Sequence, residues 1–150
     1  MSRSIIKTSK APAPVGPYSQ AVSCGNILYV SGQIPLDPES GELVGNSFAE
    51  QCHRVLLNLK IILEAGGSGL ERVLKVTIYM KNLAQFGELN EIYSEYFDVS
   101  KNQNNFLPKT ICLLHLNIYF NSFIAGINFF CDIILECVED FVGFNFEYID

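Results

Sequence analysis

The stretch from Ser47 to Gly67 constrains this chain most, because it reads as one amphipathic helix with a single face to cover. Ser47 and Glu50 form a capping box. Phe48, Cys52, Val55, Leu56, Leu59, Ile62 and Leu63 recur at three- and four-residue steps, and Gly66-Gly67 ends the run. A helix with one apolar stripe has to lie on another layer, and the flanking sequence supplies it. Ser4–Thr8, Ser19–Cys24 and Ile27–Ser31 are short β-prone runs. The first stops at Ala-Pro-Ala-Pro, a rigid extended loop, and Gly25-Asn26 joins the other two as a hairpin. Pro35–Leu43 (PLDPESGEL) has the Pro, Asp and Gly content of a surface turn. After the helix, Arg72–Met80 is β-branched and partly alternating, which suits a strand covered on one side. Asn82 is expected to cap a second helix through about Phe97, with Phe86, Leu89, Ile92, Tyr93 and Tyr96 as its buried stripe. This order of elements predicts an α/β sandwich, two helices packed on one face of a mixed sheet.

With 150 residues, 49% of them hydrophobic, the chain is long enough for one domain with a substantial core, taken here as 1–150. The formal charge of −6 is unevenly placed. All ten Lys and Arg lie in 1–109, with ten acids, whereas 110–150 carry six acids and no base. A dedicated nucleic-acid binder would need clustered Lys and Arg to displace counterions, so no stable nucleic-acid partner is expected. Composition also breaks near Lys101: eight of the eleven Phe lie beyond residue 100, with seven Asn and seven Ile. Those residue types share A/T-rich codons, as a translated intron or an alternative exon would.

Five cysteines, Cys24, Cys52, Cys112, Cys131 and Cys137, show no CxxC or Cys/His spacing for tetrahedral zinc. Cys52 and His53 are neighbours, and neighbours on a helix point about 100° apart. No metal site is expected. The opening MSRSIIKTSKAP is too polar for a secretory signal peptide, so a reducing compartment, the cytoplasm or the mitochondrion, is the expectation. Thr110–Cys131 runs 22 residues without a charge. Its Asn117, Asn121, Asn128, His115 and Ser122 are unfavourable in hydrocarbon, which favours buried strands with a bend at Gly126 over a membrane span.

Four stretches in a fixed order carry a resemblance. GPYSQA (Gly16–Ala21), YVSGQIPLDPESGEL (Tyr29–Leu43), GLERVLKVTIYMKNLAQF (Gly69–Phe86) and LNEIYSEYF (Leu89–Phe97) together closely resemble the Rid family of reactive-intermediate deaminases, also called YjgF or L-PSP proteins. The likeness spans nearly all of residues 4–98, and the part beyond 101 diverges. It implies a chorismate-mutase-like fold, a six-stranded mixed sheet backed by two helices. It also implies homotrimers with clefts between subunits, and hydrolysis of small 2-imino or enamine acids to 2-keto acids and ammonia without metal or organic cofactor. That reaction needs few groups, since an imine carbon is already electrophilic; a protein has to hold the carboxylate, orient a water and manage a proton. By the resemblance, Tyr18, Ser31 and Gly32 line the cleft, an Arg in a Pro-Ala-Arg motif binds the carboxylate, and a Glu on the last strand assists the water.

The second half of that site departs from the pattern. Where the family reads Phe-Pro-Ala-Arg-Ser, this chain reads Phe106-Leu107-Pro108-Lys109-Thr110, and no arginine follows Arg72. Lys109 keeps the positive charge but not the planar fork, so a two-pronged contact becomes a point contact. A loss of about 1–3 kcal/mol, one or two powers of ten in rate, is expected. Asp132–Glu139 (DIILECVE) is similar to the family's closing strand; Glu136 matches its second Glu and Ile134 replaces the first. Two other readings stand beside the deaminase: cleavage of single-stranded RNA with inhibition of translation, attributed to some relatives, and a non-catalytic partner protein whose altered tail disturbs a normal trimer.

Overall fold

A computed structural model of the chain describes residues 2–80, 82–97, 111–118 and 145–147. The strands are β1 (Arg3–Ile6), β2 (Ala21–Cys24), β3 (Ile27–Gln33), β4 (Val73–Met80), β5 (Ile111–Ile118) and β6 (Asn145–Glu147); the helices are α1 (Phe48–Ala65) and α2 (Phe86–Tyr96). They build one six-stranded sheet in the order β1-β2-β3-β5-β4-β6. β1, β2 and β3 run antiparallel in turn, while β5 lies parallel to both β3 and β4, and β6 parallel to β4. The sheet is therefore mixed, as expected, and α1 and α2 back it.

The local reasons are those the sequence states. Gly25, at φ 60°, takes the left-handed conformation that a two-residue β2–β3 turn requires, pairing Cys24 with Ile27. At the start of α1 the capping box is complete: Glu50 N–H donates to Ser47 Oγ at 3.2 Å, and Glu50 Oε2 accepts from Ser47 N–H at 3.3 Å. At its end, Gly67 N–H donates to the Glu64 carbonyl and Ser68 N–H to that of Leu63, with Gly67 at φ 76°, a Schellman motif. Gly66 is held to glycine by close approach, because a Cβ there would meet Leu28 Cδ2 at 2.5 Å.

All seven residues of the expected α1 stripe are buried. They join Leu28 and Val30 of β3, Val76, Ile78 and Met80 of β4, and Leu89 and Ile92 of α2 in one core. Two polar residues, Gln51 and Asn58, share that buried face, and an apolar period could not find them. The second helix starts later than its sequence suggests. Asn82 caps a single 3-10 turn, Leu83–Gln85, through its side chain to Ala84 N–H at 3.0 Å, and α2 begins only at Phe86. Phe86 is thus at the rim and exposed rather than in the stripe, and only Leu89 and Ile92 of α2 are fully buried. Tyr93 and Tyr96 pack against the core from its edge. The 110–131 run contributes β5 to the middle of the sheet. The expected closing strand Asp132–Glu139 and the Gly126 bend lie outside the described residues. Among the described residues, no helix is long and apolar enough to cross a membrane.

Candidate functional site

A shallow cleft, about 20 Å³ in volume, lies where the loop before β2 meets the end of β3. Pro12, Ala13, Pro14, Val15, Tyr18 and Gln20 form one wall, and Gly32, Gln33, Ile34 and Leu36 the other. Tyr18 and Gly32, more than ten residues apart in sequence, thus border one space. The Tyr18 ring is 38% exposed, and its hydroxyl oxygen accepts from Val15 N–H at 3.2 Å, closing the Val15–Tyr18 turn. Gly16 helps that turn, its carbonyl accepting from Tyr18 N–H at 2.8 Å.

Gly32 sits at an irregularity in β3. Val30 pairs with Leu114 and Gln33 with Leu116, so Ser31 and Gly32 together oppose one residue of β5, a bulge. Bulges of this kind re-aim backbone groups and are common beside active sites. Ser31 is fastened to the end of the loop before β2: its N–H donates to the Gln20 carbonyl at 3.0 Å and its hydroxyl to the Ser19 carbonyl at 2.6 Å. The Gln33 side chain, buried, donates through Nε2 to the carbonyls of Ser31 at 3.0 Å and Gly32 at 3.3 Å. Ser31 therefore braces the bulge next to the cleft, while Gly32 forms its surface.

None of the cleft-lining residues named above carries a charge; the wall offers apolar Pro, Ala, Val, Ile and Leu surface, a phenol and two carboxamides. A ligand carboxylate would need its cation from elsewhere. Lys109 and Glu136, the residues expected to anchor the carboxylate and assist the water, lie outside the described residues. Among the described residues no group of three or more His, Cys, Asp or Glu converges as a metal site would require. Cys52 is fully buried in the core, whereas His53 turns to α2, its Nδ1 3.1 Å from the Tyr96 hydroxyl.

Sequence reasoning missed the carboxamides. Gln20 and Gln33 stand inside the quoted motifs GPYSQA and SGQ, and both are buried with their side chains bound to the backbone of the cleft walls. The signal was available: a long amide beside Pro-rich segments is a donor where the backbone lacks N–H groups.

Comparison with known proteins matches the same part of the chain. The model of the family described as Endoribonuclease L-PSP matches residues 8–113. A RutC family protein of Pyrococcus abyssi is 54% identical over 101 residues, 67% of this chain and 80% of that one. The 2-iminobutanoate/2-iminopropanoate deaminase of Mus musculus is 46% identical over 98 residues, 65% of this chain and 73% of its own. Among solved structures, RidA from an Antarctic Psychrobacter species superposes with a TM-score of 0.62 at 38% identity, covering 73% of this chain and 83% of that one. Escherichia coli TdcF with bound serine gives 0.61 at 34% identity, over 74% and 84%.

Proposed function

Because the chain belongs to the endoribonuclease L-PSP family, the Rid/YjgF proteins, we propose that it hydrolyses small 2-imino acids to 2-keto acids and ammonia. The observation that carries this reading is the meeting of Tyr18 with the Gly32 bulge on one cleft. The mammalian deaminase among its relatives, and the small amino acid held by TdcF, support the substrate class.

Water adds across the C=N bond, its oxygen bonding to C2 and the imine nitrogen gaining a proton. The resulting carbinolamine then expels ammonia as the C–O bond becomes a carbonyl. Backbone groups of Gly32 orient the water, the Tyr18 hydroxyl mediates the proton beside the nitrogen, and Ser31 keeps the bulge in register. Lys109 takes the substrate carboxylate, and Glu136 assists the attacking water. No charged side chain in the described walls competes for that carboxylate. The working form in this reading is a homotrimer, with Lys109 and Tyr18 brought together across a subunit boundary.

The test generates 2-iminobutanoate in situ and follows 2-ketobutyrate release against semicarbazide trapping. The wild-type chain is expected to accelerate release, Tyr18→Phe to lower kcat/KM roughly tenfold, and Lys109→Arg to raise it by one or two powers of ten. Absence of acceleration in both wild type and Lys109→Arg sinks the reading. The family's description also names an endoribonuclease; incubation of the same preparation with single-stranded RNA tests it, and cleavage that copurifies with the chain and resists Tyr18→Phe would favour it.

A further inference from the structure

The two cleft walls are loops short of backbone donors: Pro12, Pro14 and Pro17 interrupt one and Pro35 the other. A buried carboxamide is bound to the backbone of each. Gln20, 3% exposed, accepts from Thr8 N–H at 2.7 Å through Oε1. Its Nε2 donates to the carbonyls of Thr8 at 3.0 Å, Ala11 at 3.2 Å and Pro12 at 2.8 Å. On the other side Asn58 of α1, 0% exposed, donates through Nδ2 to the carbonyls of Leu36 at 2.9 Å and Ile34 at 3.4 Å. Its Oδ1 is buried without a hydrogen-bond partner among the described residues. An orphaned buried acceptor is destabilising, so what this position supplies to the fold is its N–H donors.

We propose that Gln20 and Asn58 are positioning residues, each donating to carbonyls of a proline-interrupted loop and each holding one wall of the cleft. Neither acts on substrate. Pro12 and Gln20 on one side, Ile34 and Leu36 on the other, all border the cleft, so the two amides fix the gap between Tyr18 and Gly32. Displacements near 1 Å in such a gap are enough to spoil a near-attack geometry. Their effect on turnover rests on the deaminase reading; their effect on the walls does not.

The experiment is amide hydrogen exchange by mass spectrometry on the full chain, with turnover of 2-iminobutanoate per folded molecule alongside. Gln20→Glu and Asn58→Asp keep shape while exchanging the N–H donors for oxygen. Gln20→Glu is expected to quicken exchange over residues 8–18 about tenfold, leaving 34–44 and α1 within about twofold; Asn58→Asp is expected to quicken 34–44 and spare 8–18. Each is expected to lower kcat roughly tenfold, with KM changed less than about twofold. Gln20→Met and Asn58→Leu, uncharged and similar in size, are expected to reproduce both patterns where the acids fail to fold. Exchange that quickens everywhere together, or in neither wall, overturns the proposal, as does failure of all four variants to fold. So does full turnover in a loosened wall. If the wild type does not hydrolyse the imine, the deaminase reading falls and the exchange pattern alone decides the role of the amides.

Discussion

At the scale of single residues, burial sets chemistry. The Cys52 thiol lies fully within the core, and its pKa is pushed up from 9.0 to about 12, first by burial and then by the nearby Glu88 carboxylate. A thiol is the wrong form for a nucleophile, so Cys52 is expected to resist iodoacetamide at pH 8 under conditions that label the half-exposed Cys24, and to react fully in urea; peptide mapping reads both. Above pH 9 the unfolded thiol ionises while the folded one does not, so this contribution to stability is present below that pH and is lost as pH rises toward 12. Tyr18 shows the opposite placement, with its ring at the cleft and its hydroxyl fixed by the Val15 amide. GPYSQA marks Tyr18 as a residue to watch, and the prolines beside it mark Gln20 as a donor, but a sequence does not say which carbonyls Gln20 meets. That depends on which carbonyls the proline loop leaves unpaired.

At the scale of elements, α1 is the part whose ends and buried face can be read directly. Its capping box is local, linking residues three apart, and Glu50 is the titratable half. The backbone N–H of Ser47, foremost, with its side chain and the Asn46 N–H, holds the Glu50 carboxyl below its ordinary value. A lowered folded pKa gives stability that is present above the unfolded pKa and lost as pH falls through the folded one. Glu50→Gln is therefore expected to flatten the acid limb of a thermal-stability profile between neutral pH and pH ~3. Ser47→Ala is expected to lower stability by about 1 kcal/mol in chemical denaturation at neutral pH. The second helix is less legible for a physical reason. Asn82 makes a good cap for either an α-helix or a 3-10 turn, and only packing of the following residues decides between them. Here the 3-10 turn comes first, α2 starts with an uncapped Gln85, and Phe86 is left at the rim.

At the scale of the whole molecule, β1, β2 and β3 turn one side to the core and leave apolar residues exposed on the other. Leu28 and Val30 point into the core, and Tyr29 between them points away. Ile5, Val22 and Tyr29 are paired side by side across β1, β2 and β3, with Ile5 65% and Tyr29 38% exposed. An exposed apolar row across β1, β2 and β3 suits contact with further copies of the chain, as the proposed trimer requires. Tyr29→Glu is expected to shift sedimentation from trimer to monomer and, because Tyr29 is not a cleft residue, to lower turnover only through that dissociation; a variant that stays trimeric counts against this face as the interface.

Local pattern is enough to read the layers. Periods of two and of three to four residues, a capping box, paired glycines and a hairpin turn are all local, and they mark α1 with both its ends, the β2–β3 hairpin, the strand after α1 and the presence of a second helix. Tertiary structure alone decided what those loops do. The bulge at Ser31 and Gly32 exists only because β5 pairs there, and the amides of Gln20 and Asn58 matter only because folding buries them against carbonyls of proline-interrupted loops. Local pattern records which way a segment folds. Which orphaned acceptor a buried donor meets is settled by contacts between residues far apart in the chain.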